Sequence, residues 1–223
     1  MKIKGAIFDM DGTIVDSLSF WGLLWKRIGE KYFGNADFIP DPMVDRAART
    51  MIYKDAMTYF KEFYGIGTST EEFLSFCEEW VPEFYKTVAK LKCGAYELLE
   101  YLKSSGVKIC LASASARDVI DLALELYGIG DFFDATVSCA EIGVGKDKPD
   151  IYIKALELIG TSAEDTAVFE DSAVAMRTAG SIGLKTVGIF DKHNSGIDEL
   201  MEISDVFVKE NQSLFTLSMI INA

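Results

Sequence analysis

The chain has 223 residues, of which 49% are hydrophobic and 26% charged, enough to bury a sizeable core and too apolar for disorder to be the default. Its formal net charge of −13 argues against nucleic acid or an anionic membrane as partner, because both are bound by clustered Lys and Arg. Any anionic substrate must therefore be held locally, by a metal ion or a few cations.

From the N-terminus, Met1-Lys2-Ile3-Lys4-Gly5 leads into a handful of apolar or small residues before two aspartates. That run is too short for a signal-peptide core or a membrane span, and a cytoplasmic location is expected. The first strand is predicted over residues 3–8, an apolar run that stops abruptly at Asp9. Residues 16–88 are rich in Trp, Phe, Tyr and Met and read as helices, with turns at 38–42 and 65–70. Thereafter helical periodicity at 95–103, 117–126, 151–159 and 173–179 alternates with short apolar strands at 107–111, 166–169 and 186–189.

That alternation implies an α/β fold, a doubly wound, Rossmann-like parallel sheet. Residues 1–15 and 89–223 are expected to form this core, with residues 16–88 as an all-helical insert after the first strand. Ligands of such sheets sit at the carboxyl ends of the strands, where this chain places its aspartates. Cys77, Cys93, Cys110 and Cys139 show no tight metal-binding spacing, and each lies in an apolar or small-residue context that suits a buried free thiol in a reducing compartment.

Asp9 and Asp11 flank Met10 at a strand end, and Gly12 lets the chain turn closely around whatever the carboxylates hold. Two neighbouring carboxyls resist joint ionisation unless a cation intervenes, and hard oxygen ligands around a phosphate favour Mg²⁺. A metal-bound, ionised Asp9 can attack phosphorus, while Asp11, held through its backbone carbonyl, is free to carry a proton. Aspartates after a strand also cap turns and helices, so this run by itself leaves catalysis and capping open.

Glu170-Asp171-Ser172, again after an apolar strand, supplies further acidic ligands for the same cation, or a cap for the helix that follows. Ser113 and the backbone N–H of Ala114 can hydrogen-bond a phosphoryl oxygen. Lys146, in Gly143-Val144-Gly145-Lys146-Asp147-Lys148-Pro149-Asp150, can neutralise charge developing on that group.

In this order the four motifs resemble the haloacid dehalogenase superfamily, in particular its phosphatase and β-phosphoglucomutase-like branch. The matching residues are Asp9-Met10-Asp11-Gly12-Thr13-Ile14-Val15-Asp16-Ser17, Leu111-Ala112-Ser113-Ala114-Ser115, Lys146 before Pro149-Asp150-Ile151-Tyr152, and Phe169-Glu170-Asp171-Ser172. The resemblance implies a phosphoaspartate at Asp9 and an acid/base role for Asp11. It also implies a Mg²⁺ site of Asp9, Asp171 and the Asp11 carbonyl with Glu170 close by, a phosphoryl group held by Ser113 and Lys146, and a helical cap that closes over a small phosphorylated metabolite.

Three departures bear on function. Asp147 stands where the family carries a proline beside the lysine, which makes Lys148 an alternative phosphate contact. Ala175 replaces a glycine. Trp21 replaces the cap histidine that β-phosphoglucomutases share, and the one histidine of the chain is His193; this favours a phosphatase over a mutase. A dehalogenase would lack Asp11, and a binder without turnover has no use for a nucleophile beside a proton carrier. Trp21 and the i, i+3 pair Arg46 and Arg49 are candidate substrate contacts, although an aromatic at helical spacing more often packs in the core and a solvated face explains the arginines equally well.

Overall fold

The structure is a computed structural model that describes residues 1–221. Strand β1 (Gly5–Phe8) is followed by a two-residue strand β2 (Val15–Asp16). Five helices come next: α1 (Ser19–Ile28), α2 (Pro42–Thr50), α3 (Tyr53–Tyr64), α4 (Thr70–Glu78) and α5 (Val81–Thr87). Two of the starts are capped by local side chains. Asp41 accepts the Met43 N–H with Pro42 in the first turn, and Ser69 forms a reciprocal capping box with Glu72, each satisfying backbone N–H groups that a helix cannot bond internally. The turns expected at 38–42 and 65–70 accordingly end one residue earlier, because Pro42 and Thr70 already belong to helices.

Strand β3 (Lys90–Leu91) returns antiparallel to β2. The chain then alternates: α6 (Ala95–Ser104), β4 (Lys108–Ser113), α7 (Arg117–Tyr127), β5 (Ala135–Ser138), a single turn α8 (Cys139–Ile142), α9 (Asp150–Ile159), β6 (Thr166–Glu170), α10 (Ala173–Ser181), β7 (Lys185–Ile189), α11 (Ile197–Ile203) and β8 (Val206–Val208). Six strands form one sheet in the order β5-β4-β1-β6-β7-β8 with every pairing parallel, so the expected doubly wound α/β sheet is present. The strands β5 and β8 were not anticipated from sequence.

Side chains of the central strands alternate between two cores, as the two-residue period of a strand requires. Ala6, Phe8, Ile109, Leu111, Ala167 and Phe169 face one side, against Leu98, Leu99 and Leu102 of α6 and Ile120 of α7. Ile7, Cys110, Ala112 and Val168 face the other, against Ile151, Tyr152 and Ala155 of α9 and Met176 of α10. The helices α1 to α4 enclose a third core of Leu24, Trp25, Ile28, Val44, Ala48, Met57, Phe60 and Phe73. At its centre Phe60 is fully buried and stacks on Trp25, with ring centroids 4.7 Å apart; burying a phenylalanine contributes roughly 1.5–3 kcal/mol.

All four cysteines are unpaired, and three are buried. Cys93, expected to be buried, is exposed: it lies in the link from β3 to α6, where its carbonyl, rather than its thiol, is engaged by the Leu214 N–H at 2.8 Å. Among the described residues no helix is long and apolar enough to cross a membrane.

Candidate active site

The chain leaves β1 for β4 and β5 on one side and returns to β6, β7 and β8 on the other. The carboxyl ends of β1, β4 and β6 are therefore the switch point of the sheet, where a crevice opens. The register is direct: Phe8 pairs with Leu111 and with Phe169, its ring stacks on Phe169 at 4.0 Å, and the Asp9 N–H donates to the Phe169 carbonyl at 3.0 Å. Asp9 thus emerges beside Glu170, with Ser113 two residues past Leu111 on the opposite flank. Gly12 has φ of +83°, and a Cβ there would lie 2.6 Å from Asp171 Oδ2. Only glycine lets this turn close on the acidic strand end.

Asp9, Glu170 and Asp171 are all buried, and each offers a carboxylate oxygen within 4.8 Å of the others. Lys146, its side chain 10% exposed, puts its Nζ against Asp9 Oδ1 and donates to Glu170 Oε1 at 2.8 Å. The second Glu170 oxygen accepts the backbone N–H groups of Asp171 and Ser172 at 2.8 and 3.3 Å. Asp171 accepts from the Thr13 hydroxyl at 3.2 Å and from the Asn194 amide at 2.8 Å.

Three carboxyls share this pocket with one ammonium. Burial, then the neighbouring Glu170, pushes the Asp9 carboxyl up to about 7 against the opposing pull of Lys146. Burial, Glu170 and Asp9 likewise hold Asp171 well above the usual carboxylate range. Although burial disfavours its charge, Asp9 and Glu170 keep Lys146 firmly protonated. The surplus of acidic groups is what a hard divalent cation with oxygen ligands relieves, so the donor set fits such an ion.

Asp11 has different company. Its carboxylate accepts the Tyr85 phenol at 2.5 Å, the Ser17 hydroxyl at 2.6 Å and the Ser115 hydroxyl at 2.7 Å, and it is not one of the three clustered carboxylates. Tyr85 comes from α5, and its phenol is held well above the ordinary tyrosine range by burial and the Asp11 charge. Tyr85 and Asn194 carried no sequence signal, since each reaches the site from a segment without a motif. Ser17 and Ser115 lay inside recognised motifs, but their hydroxyls had no assigned partner.

Asp9, Asp11, Ser17, Tyr85, Ser115, Lys146, Glu170 and Asp171 line a cleft of about 390 Å³, together with Ser113, Ala114, Trp21 and Arg49. Ser113 is buried, and its hydroxyl oxygen accepts the Ser115 N–H at 3.0 Å. Arg49 lies over the Trp21 ring at 5.7 Å and pairs with Asp45 at 2.9 Å, while Asp45 also accepts the Trp25 indole N–H at 2.6 Å. Arg46 departs from expectation: it is exposed and does not line the cleft, because residues three apart on a helix still differ by about 60° in direction. Lys148 and His193 are exposed as well, which leaves Lys146 as the lysine that meets the carboxylates.

A family model of haloacid dehalogenase-like hydrolases matches residues 3–183. A phosphorylated carbohydrates phosphatase of Thermotoga maritima is 26% identical, over 98% of this chain and all of that protein. A validoxylamine A 7'-phosphate phosphatase of Streptomyces hygroscopicus subsp. limoneus is 26% identical over 93% of each. Among solved structures, a candidate β-phosphoglucomutase from Thermotoga maritima superposes with a TM-score of 0.77 at 25% identity, covering 98% of this chain and 100% of the other. With that match over most of its length, the chain belongs to the haloacid dehalogenase-like hydrolases.

Proposed function

We propose that the protein is a Mg²⁺-dependent phosphatase that hydrolyses a small phosphomonoester, a sugar phosphate or related metabolite, through an aspartyl-phosphate at Asp9. The observation that carries this reading is the pairing of Asp9, in contact with Lys146, with Asp11, two residues away and surrounded by hydroxyls. One carboxylate is placed to attack and the other to carry a proton.

The phosphoryl group enters against Lys146, the Ser113 hydroxyl and the Ala114 N–H. An Asp9 carboxylate oxygen attacks phosphorus, the bond to the leaving oxygen breaks, and protonated Asp11 gives its proton to that oxygen. Asp11, now a carboxylate, takes a proton from water as the water oxygen attacks the phosphoaspartate, releasing phosphate and restoring Asp9. Asp9, Asp171 and the Asp11 backbone carbonyl, with Glu170 adjacent, would hold Mg²⁺, which when bound offsets negative charge on the phosphoryl group and the carboxylates. Residues 16–88 act as a cap that excludes bulk water, with Trp21 and Arg49 facing the part of the substrate that does not react. The four unpaired thiols accord with a cytoplasmic setting.

Likeness to the candidate β-phosphoglucomutase supports one other reading, a phosphosugar mutase whose phosphoenzyme outlasts exchange of its intermediate. A panel of phosphorylated metabolites, assayed for phosphate release with Mg²⁺ and after chelation, separates the two. Chelator-sensitive release supports the phosphatase. Isomerisation without release, dependent on an added sugar bisphosphate, would replace it with the mutase.

A further inference from the structure

The loop after β7 is fastened more tightly than a connection needs. Asp191, 4% exposed, accepts the Lys92 ammonium at 2.9 Å and the His193 N–H at 2.8 Å, and its carbonyl accepts the Asn194 N–H at 3.1 Å. Lys92 also donates to the Phe190 carbonyl at 2.7 Å, and its own N–H bonds the Ile14 carbonyl at 2.9 Å. Lys92 follows β3, the strand by which the chain returns from the five helices. A largely buried ion pair thus ties that return point to a turn whose last residue is Asn194.

The Asn194 side chain points out of this turn at Asp171. Its Nδ2 donates to the Asp171 carbonyl at 2.6 Å and to Asp171 Oδ2 at 2.8 Å. Both partners are acceptors, which fixes the nitrogen, and not the amide oxygen, at that position. Thr13 bonds the other carboxylate oxygen, Oδ1, so Asn194 and Thr13 grip Asp171 from its two sides. Each carboxylate oxygen accepts more than one partner, and the grip therefore leaves room for a cation.

We propose that Asn194 is a positioning residue for the metal site: it orients Asp171 towards Asp9 and Glu170, and the Lys92–Asp191 pair holds Asn194 in place. The proposal rests on the Mg²⁺ reading above. Partners that orient a metal-binding carboxylate are typically worth about 10- to 100-fold in metal affinity.

The test is calorimetric titration of the metal-free protein with Mg²⁺ and with Mn²⁺, comparing the wild type with Asn194→Ala and Lys92→Met, alongside metal-free thermal melts. Asn194→Ala is expected to weaken both ions by about tenfold or more, and Lys92→Met by a smaller factor, with Asn194→Ala melting close to the wild type. Wild-type binding with an unchanged Asn194→Ala affinity overturns the positioning role, whatever happens to the melting temperature. A wild type that binds neither ion overturns the metal reading itself.

Discussion

The floor of the cleft and the surroundings of Asp11 lie two residues apart in sequence and follow opposite chemistry. Around Asp9 charge meets charge, with Lys146, Glu170 and Asp171 in a buried pocket. Around Asp11 a carboxylate meets neutral hydroxyls from three parts of the chain: Ser17 beside β2, Tyr85 on α5 and Ser115 after β4. The first arrangement holds three carboxylates around one ammonium, a donor set that fits a divalent cation, and under the proposed function it keeps the nucleophile in place. The second, under the proposed function, holds the proton carrier by bonds that can be exchanged for substrate or water without stranding a buried charge.

The contrast can be broken at either end. Asp9→Asn should lower turnover by on the order of 10⁴-fold or more for every substrate, because no other group replaces the nucleophile. Asp11→Asn should lose about 10²–10⁴-fold on an alkyl phosphate and much less in the first step on an aryl phosphate, whose leaving group needs little proton donation. Stopped-flow release of the phenol from the aryl substrate reads that difference, and equal losses on both substrates would remove the distinction between the aspartates. Lys146→Met should cost about 10²–10³-fold in kcat and also lower metal-free stability, since Asp9 and Glu170 then lose their buried counter-charge.

Phe60→Ala probes the helical unit, whose centre is apolar. Denaturant melts should show a loss of about 3–5 kcal/mol, with Mg²⁺ affinity of the folded protein unchanged. The smallest effect is in pH. Asp9 is raised from 3.8 to about 7 in the folded chain, so the metal-free native state binds more protons than the unfolded one between those values, and stability falls as pH rises through that window. Mg²⁺ bound at this site as proposed would take the place of those protons and should raise the melting temperature more at about pH 8 than at about pH 5. An equal increment at both would mean that the cation binds elsewhere.

The alternation of short apolar strands with ten-residue helices was legible in the sequence, as were the motif residues, because three of the four motifs sit where a strand ends and the fourth, around Lys146, precedes a helix. The ends differed where polar residues continue the sheet: β4 runs on to Ser113 and β6 to Glu170. β5 was missed because Ala135–Ser138 mixes small and polar residues, and β8 because three residues are too few for a period. Arg46 and Arg49 looked equivalent on a helical wheel, yet one faces solvent and the other the cleft, a difference made by how α2 packs. Tyr85 and Asn194 were invisible because what brings them to the aspartates is tertiary: the return of α5 over the sheet, and a turn fastened by Lys92.

The proposed function stands on covalent chemistry at Asp9. Rapid-quench mass spectrometry of the Asp11→Asn variant mixed with an aryl phosphate and Mg²⁺ tests it most directly, since loss of the proton carrier slows hydrolysis of the intermediate. One added phosphoryl group is expected, mapped to Asp9 and absent from Asp9→Asn. A protein that turns over while never carrying phosphate, or that carries it on another residue such as His193, would contradict it.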